Sequence, residues 1–459
     1  NRVPVSFRQD VMPVFMRAGC NAGGCHGASL GKDGFRLSLF GFDPAGDYFR
    51  LTRELPSRRI NLAVPEASLL LQKATGSVPH TGGKRLEVDS DHYEAIRRWI
   101  AAGAASDVDA APTATSLAID PPAAVLEGAS ASQQFIAVAS YSDGRTRDVT
   151  DLVLFQSNND AAAAVDASGL AAAAQRGEAF VMARFDTHTV GSQVLTLPAE
   201  LEYEPADEAP ANYIDEFVGK KLQTLRITPS PICTDEEFLR RVTIDIAGSM
   251  PTPDEQATFL ADPSPAKRAA KIDELLERKE FAEIWAMKWS ELLMVRTEPN
   301  RVDYKPMFLY SQWVTRKIAD NVPLDEIFTE LLSASGGSFT NPAVNFFQIE
   351  PEPQKTAENV AQIFLGIRVQ CAQCHNHPFD RWTMDDYYGF TAFFAQIGRK
   401  QGEDYRETIV FDRGAGETRH LIDNRVMAPK FLGGEVLDPK RKDRRRAVAE
   451  WIEIGRAHV

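Results

Sequence analysis

Two stretches of this chain place cysteine and histidine close enough together to act on one bound group. The clearer is Cys371-Ala372-Gln373-Cys374-His375-Asn376-His377-Pro378-Phe379-Asp380. It contains C-x-x-C-H, the spacing that attaches a c-type haem. Thiols about one turn apart can add across the two vinyl groups on one porphyrin edge, and the next residue is then aimed at the iron. Cys371 and Cys374 are read as thioether anchors and His375 as a proximal iron ligand. A structural zinc corner or a redox dithiol would use the same residue types. The other stretch, Cys20-Asn21-Ala22-Gly23-Gly24-Cys25-His26-Gly27, is C-x-x-x-x-C-H. Gly23 and Gly24 are expected to let its two extra residues bulge outward. Cys20 and Cys25 then serve as anchors and His26 as proximal ligand, with a plain disulfide as the alternative.

Other chemistry-bearing residues carry less. His377 stands two residues past His375 and cannot reach the opposite face of the same iron. It either closes the loop or joins Asp380 on a separate metal. Met384 is read as core before distal ligand, Cys233 as inert at a helix start, and Trp285 and Trp289 as core. Asn158-Asn159-Asp160 reads as a solvated turn before a calcium loop.

The elements that must position these residues fall into modules. The chain is 44% hydrophobic and 25% charged, as ordinary globular proteins are. A net charge of −13 argues against nucleic acid and against an anionic membrane surface. No run approaches the roughly 18 apolar residues of a membrane span, so no transmembrane segment is expected. Four of the 5 cysteines lie in two close pairs, each followed by His, which is cofactor usage rather than a disulfide scaffold. The start at Asn1 and the adapter-like ending Glu453–Val459 read as marks of a fragment, and His458 is given no role.

Residues 1–104 carry Phe7, Val11, Val14 and Phe15 at helical spacing, a loop at Val78-Pro79-His80, and a closing helix from Asp91 with Asp91 and Glu94 as a capping pair. A Pro/Ala/Asp-rich linker follows. Residues 113–198 change to short alternating runs between turn residues, with a strand–turn–strand at Val165–Leu170. After a second linker, Pro198 to Pro210, residues 212–400 are helical. Ile214, Phe217, Val218, Leu222 and Leu225 form one apolar face, and capping boxes stand at Thr234 and Thr252. The aromatic-rich helix after Thr383 is expected to give the second motif an apolar setting. Residues 401–459 read as the start of a further, truncated domain.

Cys25-His26-Gly27, Ser68-Leu69-Leu70 and Trp99-Ile100-Ala101-Ala102-Gly103-Ala104 resemble a planctomycete-type cytochrome c domain. That family usually takes its distal iron ligand from a Met in the loop matching Val78-Pro79-His80. Here that loop departs from the family and holds no Met, so His80 is the candidate sixth ligand, with an ordinary loop histidine as the alternative; bis-His ligation would lower the potential relative to His/Met. Leu126-Glu127-Gly128, Val165–Leu170 and Gly177-Glu178-Ala179 resemble a bacterial Ig-like group 2 domain, which implies a β-sandwich. Cys371–Thr383 with Arg240-Arg241-Val242-Thr243-Ile244-Asp245 resembles a planctomycete domain family of unknown function. The expected fold is multidomain: an all-α cytochrome c-like module, a β-sandwich Ig-like module and a mainly α-helical C-terminal domain.

The expected function is that of a multihaem c-type cytochrome, with two haem c groups, passing electrons to a redox partner protein. Thioether attachment then implies a periplasmic or cell-surface location. Two other readings stay open. One is a metal-dependent hydrolase built on Cys371, Cys374, His375, His377 and Asp380. The other is a surface-binding protein that associates through its Ig-like domain.

Overall fold

The computed structural model describes residues 4–28, 30–204, 209–377, 380–438 and 440–453. Pro378 and Phe379 of the second motif, part of the second linker, and His458 lie outside the described residues. The chain divides into two compact units, one running to Ser230 and the other starting at Pro231.

The first unit is β-rich, which corrects the expectation of a free-standing all-α cytochrome c-like module at residues 1–104. Its strands are β1 (Ala114–Asp120), β2 (Ala123–Glu127), β3 (Ser132–Gln134), β4 (Ile136–Tyr141), β5 (Thr146–Asp148), β6 (Leu154–Ser157), β7 (Ala163–Val165), β8 (Leu170–Ala173), β9 (Gly177–Phe185) and β10 (His188–Leu197). They form sheets in the orders β1-β4-β5, β2-β10-β9-β6 and β3-β8-β7. Strand β2 lies parallel to β10, from Ala123 opposite Gln193 to Glu127 opposite Leu197. Along β4 the buried positions are Ala137, Ala139 and Tyr141, the alternation expected of a strand covered on one face. The β7–β8 turn is held by Asp166, whose Oδ1 accepts from the amides of Ser168 (2.8 Å) and Leu170 (3.0 Å).

Short helices precede these sheets and pack into the same unit. The apolar run from Phe7 is a wide turn, Phe7–Val11, that passes into the helix Met12–Arg17. The closing helix spans Asp91–Ala101, and its cap is Ser90, whose Oγ accepts from the Tyr93 amide, instead of the Asp91/Glu94 pair. Phe7, Val11, Phe15, Ile96, Trp99 and Ile100 make one core, and Leu152 from the β region packs against both that core and the sheets' own. Arg147 bonds Asp10 (2.8 Å), His92 Nε2 meets the Asp151 carbonyl (2.9 Å), and the Arg184 guanidinium lies 4.1 Å from the Phe40 ring centroid. Periodicity shows which faces are apolar but not what covers them. Here the cover comes partly from strands more than a hundred residues away.

The second unit is mostly helical. Its longest helices are Tyr304–Ala319, Lys279–Leu292, Asp235–Ala247 and Pro353–Leu365. A three-stranded sheet of Gly336–Gly337, Thr408–Asp412 and Ile397–Gln401 accompanies them. Tyr310, Phe347, Val360, Tyr387 and Phe390 fill the core, together with Val410, Val448 and Trp451. Trp289 packs against that core, whereas Trp285 is partly exposed beneath Lys288, contrary to the expectation that both are core. In the first unit, Ile214, Phe217 and Val218 of the helix Tyr213–Thr224 are exposed.

Both expected capping boxes of the second unit form, at Thr234/Glu237 and Thr252/Glu255. Glu255 Oε2 accepts from the Thr252 amide at 2.8 Å and its hydroxyl at 3.0 Å. The Thr252 amide is the main cause that brings the Glu255 carboxyl down to about 2; burial opposes it, while the Thr252 hydroxyl and Arg278 add to the lowering. A depressed carboxyl stabilises the fold above its unfolded value near 4.5, and that stability is lost as pH falls towards about 2. Glu255→Gln is expected to cost about 1.5–3 kcal/mol at neutral pH, the range for hydrogen bonds to charged groups. Urea denaturation across a pH series should show the gap to the parent closing between pH 4.5 and 2. A gap that stays constant with pH would refute the assignment.

Candidate functional site

The first cluster is a loop closed on itself. The helix Met12–Arg17 ends at Gly19 (φ +73°), whose amide bonds the Met16 carbonyl, and Cys20 N returns to Phe15 O at 2.8 Å. The Ala22 carbonyl accepts from both Cys25 N (2.9 Å) and Gly27 N (3.1 Å), and His26 N donates to Cys20 O (3.1 Å). These bonds bring both thiols and the His26 ring to one side. Gly23 and Gly24 are exposed at the bulge, but neither needs its freedom: a Cβ at Gly24 would meet nothing within 4 Å. The glycine required is Gly27, where an added Cβ would lie 2.0 Å from the Asn21 carbonyl oxygen.

Cys20, Cys25, His26 and His80 line one cavity of ≈ 220 Å³. Phe15, Leu37, Leu69, Leu70 and Ala74 supply its apolar wall. The two cysteines are free thiols. Burial, with a smaller push from Cys25, raises the Cys20 thiol to about 12, so it stays protonated at neutral pH. The His26 and His80 rings are within 11° of parallel, with centroids 6.2 Å apart. Each ring gives Nδ1 to a backbone carbonyl, His26 to Phe35 (3.0 Å) and His80 to Gly83 (2.8 Å). With the Nδ1 proton given to a carbonyl, the neutral tautomer carries its lone pair on Nε2, as second-shell carbonyls commonly arrange for metal-binding histidines. Burial holds His26 below the usual imidazole range; the Phe35 carbonyl works against that shift and the charge of His80 adds to it. His26 is therefore neutral, the form that a metal ligand needs.

These residues fit a haem. Two near-parallel imidazoles, two free thiols and an apolar wall on one cavity are the donor types that would hold one.

The second cluster is built differently. Cys371 lies in a short 3-10 turn, Gln370–Gln373, and both Cys371 and Cys374 are exposed. His375 is partly buried, with Nδ1 2.7 Å from the Asn376 carbonyl. Asn376 Oδ1 accepts from Met384 N (3.1 Å), and His377 N donates to Trp382 O (2.7 Å). These bonds close the loop onto the helix Met384–Thr391, which Thr383 and Asp386 cap. Tyr388 donates its hydroxyl to the Gln373 carbonyl (2.8 Å). Phe390, Phe393 and Phe394 are buried in the core of the unit, which Ala372 of the motif also enters, and Met384 is buried with them. Burying them there covers more apolar area than facing a surface loop would. Asp380 is exposed and bonds its neighbour's amide, Arg381 N, at 2.7 Å. Among the described residues no group of three or more His, Cys, Asp or Glu could hold a metal ion.

No helix of the described residues is long and apolar enough to cross a membrane. None of the curated proteins matches the chain. Residues 213–399 match the family PSCyt2, described as a protein of unknown function (DUF1549). That stretch contains the Cys371–His375 motif and includes neither the first cluster nor β1–β10. The match makes residues 213–399 similar to a family whose short name is cytochrome-like and whose description assigns no activity.

Proposed function

We propose that this chain is an electron-transfer protein carrying covalently bound haem c, with its best-formed site at Cys20, Cys25, His26 and His80. The observation that carries the reading is the parallel imidazole pair at 6.2 Å beside two thiols in one cavity. Cys20 and Cys25 would hold the macrocycle, each adding S–H across a vinyl group without any change of redox state. His26 and His80 would hold the iron through their Nε2 atoms, with the carbonyls of Phe35 and Gly83 fixing their tautomers. The haem would supply the one-electron couple. The chain's part is to hold the thiols within reach, keep His26 neutral and shield one face with apolar side chains.

The Cys371–His375 motif supports a second attachment point. Its spacing is that of c-type haem, and its exposed thiols are open to an incoming group. Attachment of this kind is made outside the cytoplasm, so a periplasmic or cell-surface location and an extracytoplasmic redox partner protein belong to the proposal.

The test is expression with a c-type maturation system, followed by a pyridine haemochrome spectrum and intact mass. The parent is compared with Cys20→Ala/Cys25→Ala and with Cys371→Ala/Cys374→Ala. Loss of one haem in the first variant supports the first site, and loss of one in the second supports the other. No covalent haem in the parent would overturn the reading. In a loaded protein, His80→Met is expected to raise the midpoint potential, since thioether ligation favours the reduced iron.

A further inference from the structure

We infer that the second unit holds a binding site for a small tetrahedral oxyanion of the phosphate or sulfate type, built by Arg399, Arg413, Arg444 and Arg445. The site uses no residue of either cysteine cluster and stands independently of the haem reading.

The four guanidiniums come from separate elements and meet in pairs. Arg399 lies on the strand Ile397–Gln401, Arg413 just past the strand Thr408–Asp412, and Arg444 and Arg445 open the helix Arg444–Glu453. Arg399 donates from Nε (2.9 Å) and Nη2 (2.7 Å) to the Phe347 carbonyl, and the Arg445 guanidinium lies 5.2 Å from the Phe347 ring centroid. Arg413 Nη2 donates to the Ala395 carbonyl (2.7 Å) and Arg444 Nη1 to the Ala392 carbonyl (2.8 Å). These two meet again at Gly416: a Cβ there would lie 3.3 Å from Arg413 Nη2, and its carbonyl is 3.5 Å from Arg444 Nη1.

What the cluster lacks is a counter-ion. Arg399, Arg413, Arg444 and Arg445 have no ion pair among the described residues, in a chain with 64 acidic residues against 51 basic ones. In the first unit, by contrast, the largely buried Arg50 and Arg59 pair with Asp47 and Glu54, each at 2.9 Å. Arg445 is 5% exposed and directs its donors to the Ala334 carbonyl (2.6 Å) and the Ser335 hydroxyl (2.8 Å). Burial lowers Arg399 to about 10, and the charges of Arg413, Arg445 and Arg301 push the same way. Burial also lowers Arg444 and Arg445, opposed by Asp412, Asp443 and Glu417 from beyond ion-pair distance. Backbone carbonyls satisfy N–H groups without neutralising charge, and a buried cation without an anion is costly.

The arrangement selects the kind of anion. A carboxylate offers its oxygens in one plane and suits one guanidinium fork. A phosphate or sulfate offers oxygens at the corners of a tetrahedron and can accept from guanidiniums that arrive from a strand, a turn and a helix. Arg413 is exposed and Arg445 buried, so a small ion entering past Arg413 reaches both, whereas a duplex or a membrane surface does not.

The test titrates the full chain calorimetrically with inorganic phosphate and, separately, with sulfate, at an ionic strength held fixed by chloride. The parent is expected to bind one or both saturably. Arg413→Gln, at an exposed position that the fold tolerates, should lose about tenfold in affinity, the worth of one charge-assisted contact. Arg399→Lys keeps the charge, loses the fork at Phe347 and should lose as much. Arg406→Gln is the control: Arg406 pairs with Asp404 at 2.6 Å, and this variant should bind as the parent does. Methyl phosphate separates two sources of the same chemistry. Affinity equal to that of phosphate supports a site for an ester, and a large loss supports a site for the free ion. No saturable binding of either inorganic ion would overturn the inference. So would equal losses in Arg413→Gln and Arg406→Gln, which mark general surface charge, or an Arg413→Gln variant that binds as the parent does.

Discussion

Gly27→Ala is expected to undo the loop that holds Cys20, Cys25 and His26, at a cost of about 2–4 kcal/mol. The new Cβ would lie 2.0 Å from the Asn21 oxygen, 2.6 Å from the Asn21 carbonyl carbon and 2.8 Å from the Ala22 oxygen. All three are backbone atoms, so no side chain can swing aside to relieve the clash. The loop would have to open, at the expense of the Gly27 N–Ala22 O and His26 N–Cys20 O bonds. Chemical denaturation measures the destabilisation, and alkylation of Cys20 and Cys25, slow in the parent because Cys20 is protonated and Cys25 buried, should become fast. Gly24→Ala is the control, since its Cβ meets nothing within 4 Å. If the two variants are equally stable, the described loop is wrong.

Trp99→Ala carries the second large expected effect, about 3–5 kcal/mol, the usual cost of deleting a fully buried indole. Trp99 is 1% exposed, its ring centroid is 5.1 Å from that of Phe7, and its Nε1 donates to the Ala105 carbonyl at 3.0 Å. It joins the helix Asp91–Ala101 to the Phe7–Val11 turn, and the helix that follows that turn leads into the first cysteine cluster. Removing it should therefore loosen the cavity as well as lower the denaturation midpoint. Trp99→Phe keeps most of the packing and loses one hydrogen bond, so about 1–2 kcal/mol is expected. A Trp99→Ala variant no less stable than Trp99→Phe would show that the indole is not the keystone of this core.

The candidate residues of the two Cys–His clusters stand out in the sequence because the attachment and ligation proposed for them would be local demands on adjacent residues. Cys371, Cys374 and His375 lie within five positions, and no tertiary information is needed to see that they can serve one group. The same holds for Cys25 and His26. The capping boxes at Thr234 and Thr252 were readable for a similar reason: each needs only a side chain and an amide three residues apart.

What failed to show in the sequence depends on distance along the chain. The helices of residues 1–104 looked like a module of their own because their apolar spacing is self-consistent. Yet their surface is completed by contacts such as Arg147 with Asp10 and by the shared packing of Leu152. Phe390, Phe393 and Phe394 fill the core that Ala372 of the motif also enters, while Cys371 and Cys374 stay exposed, a division that spacing alone does not show. The need for glycine at position 27 does not show in the sequence, because the atom a Cβ there would strike belongs to Asn21, and the clash exists only once the loop has closed.

The sequence by itself determined which residues can attach and ligate: the thiols, the imidazoles beside them and their spacing. Only the tertiary structure decided which of them share a cavity, because that depends on folding the His80 loop back over His26 from 54 positions away. It also decided that one thiol pair lines a cavity and the other faces solvent. Local spacing sets what a motif can bind, but side chains are buried by whichever distant surface covers the most apolar area, and that competition is settled by the whole unit.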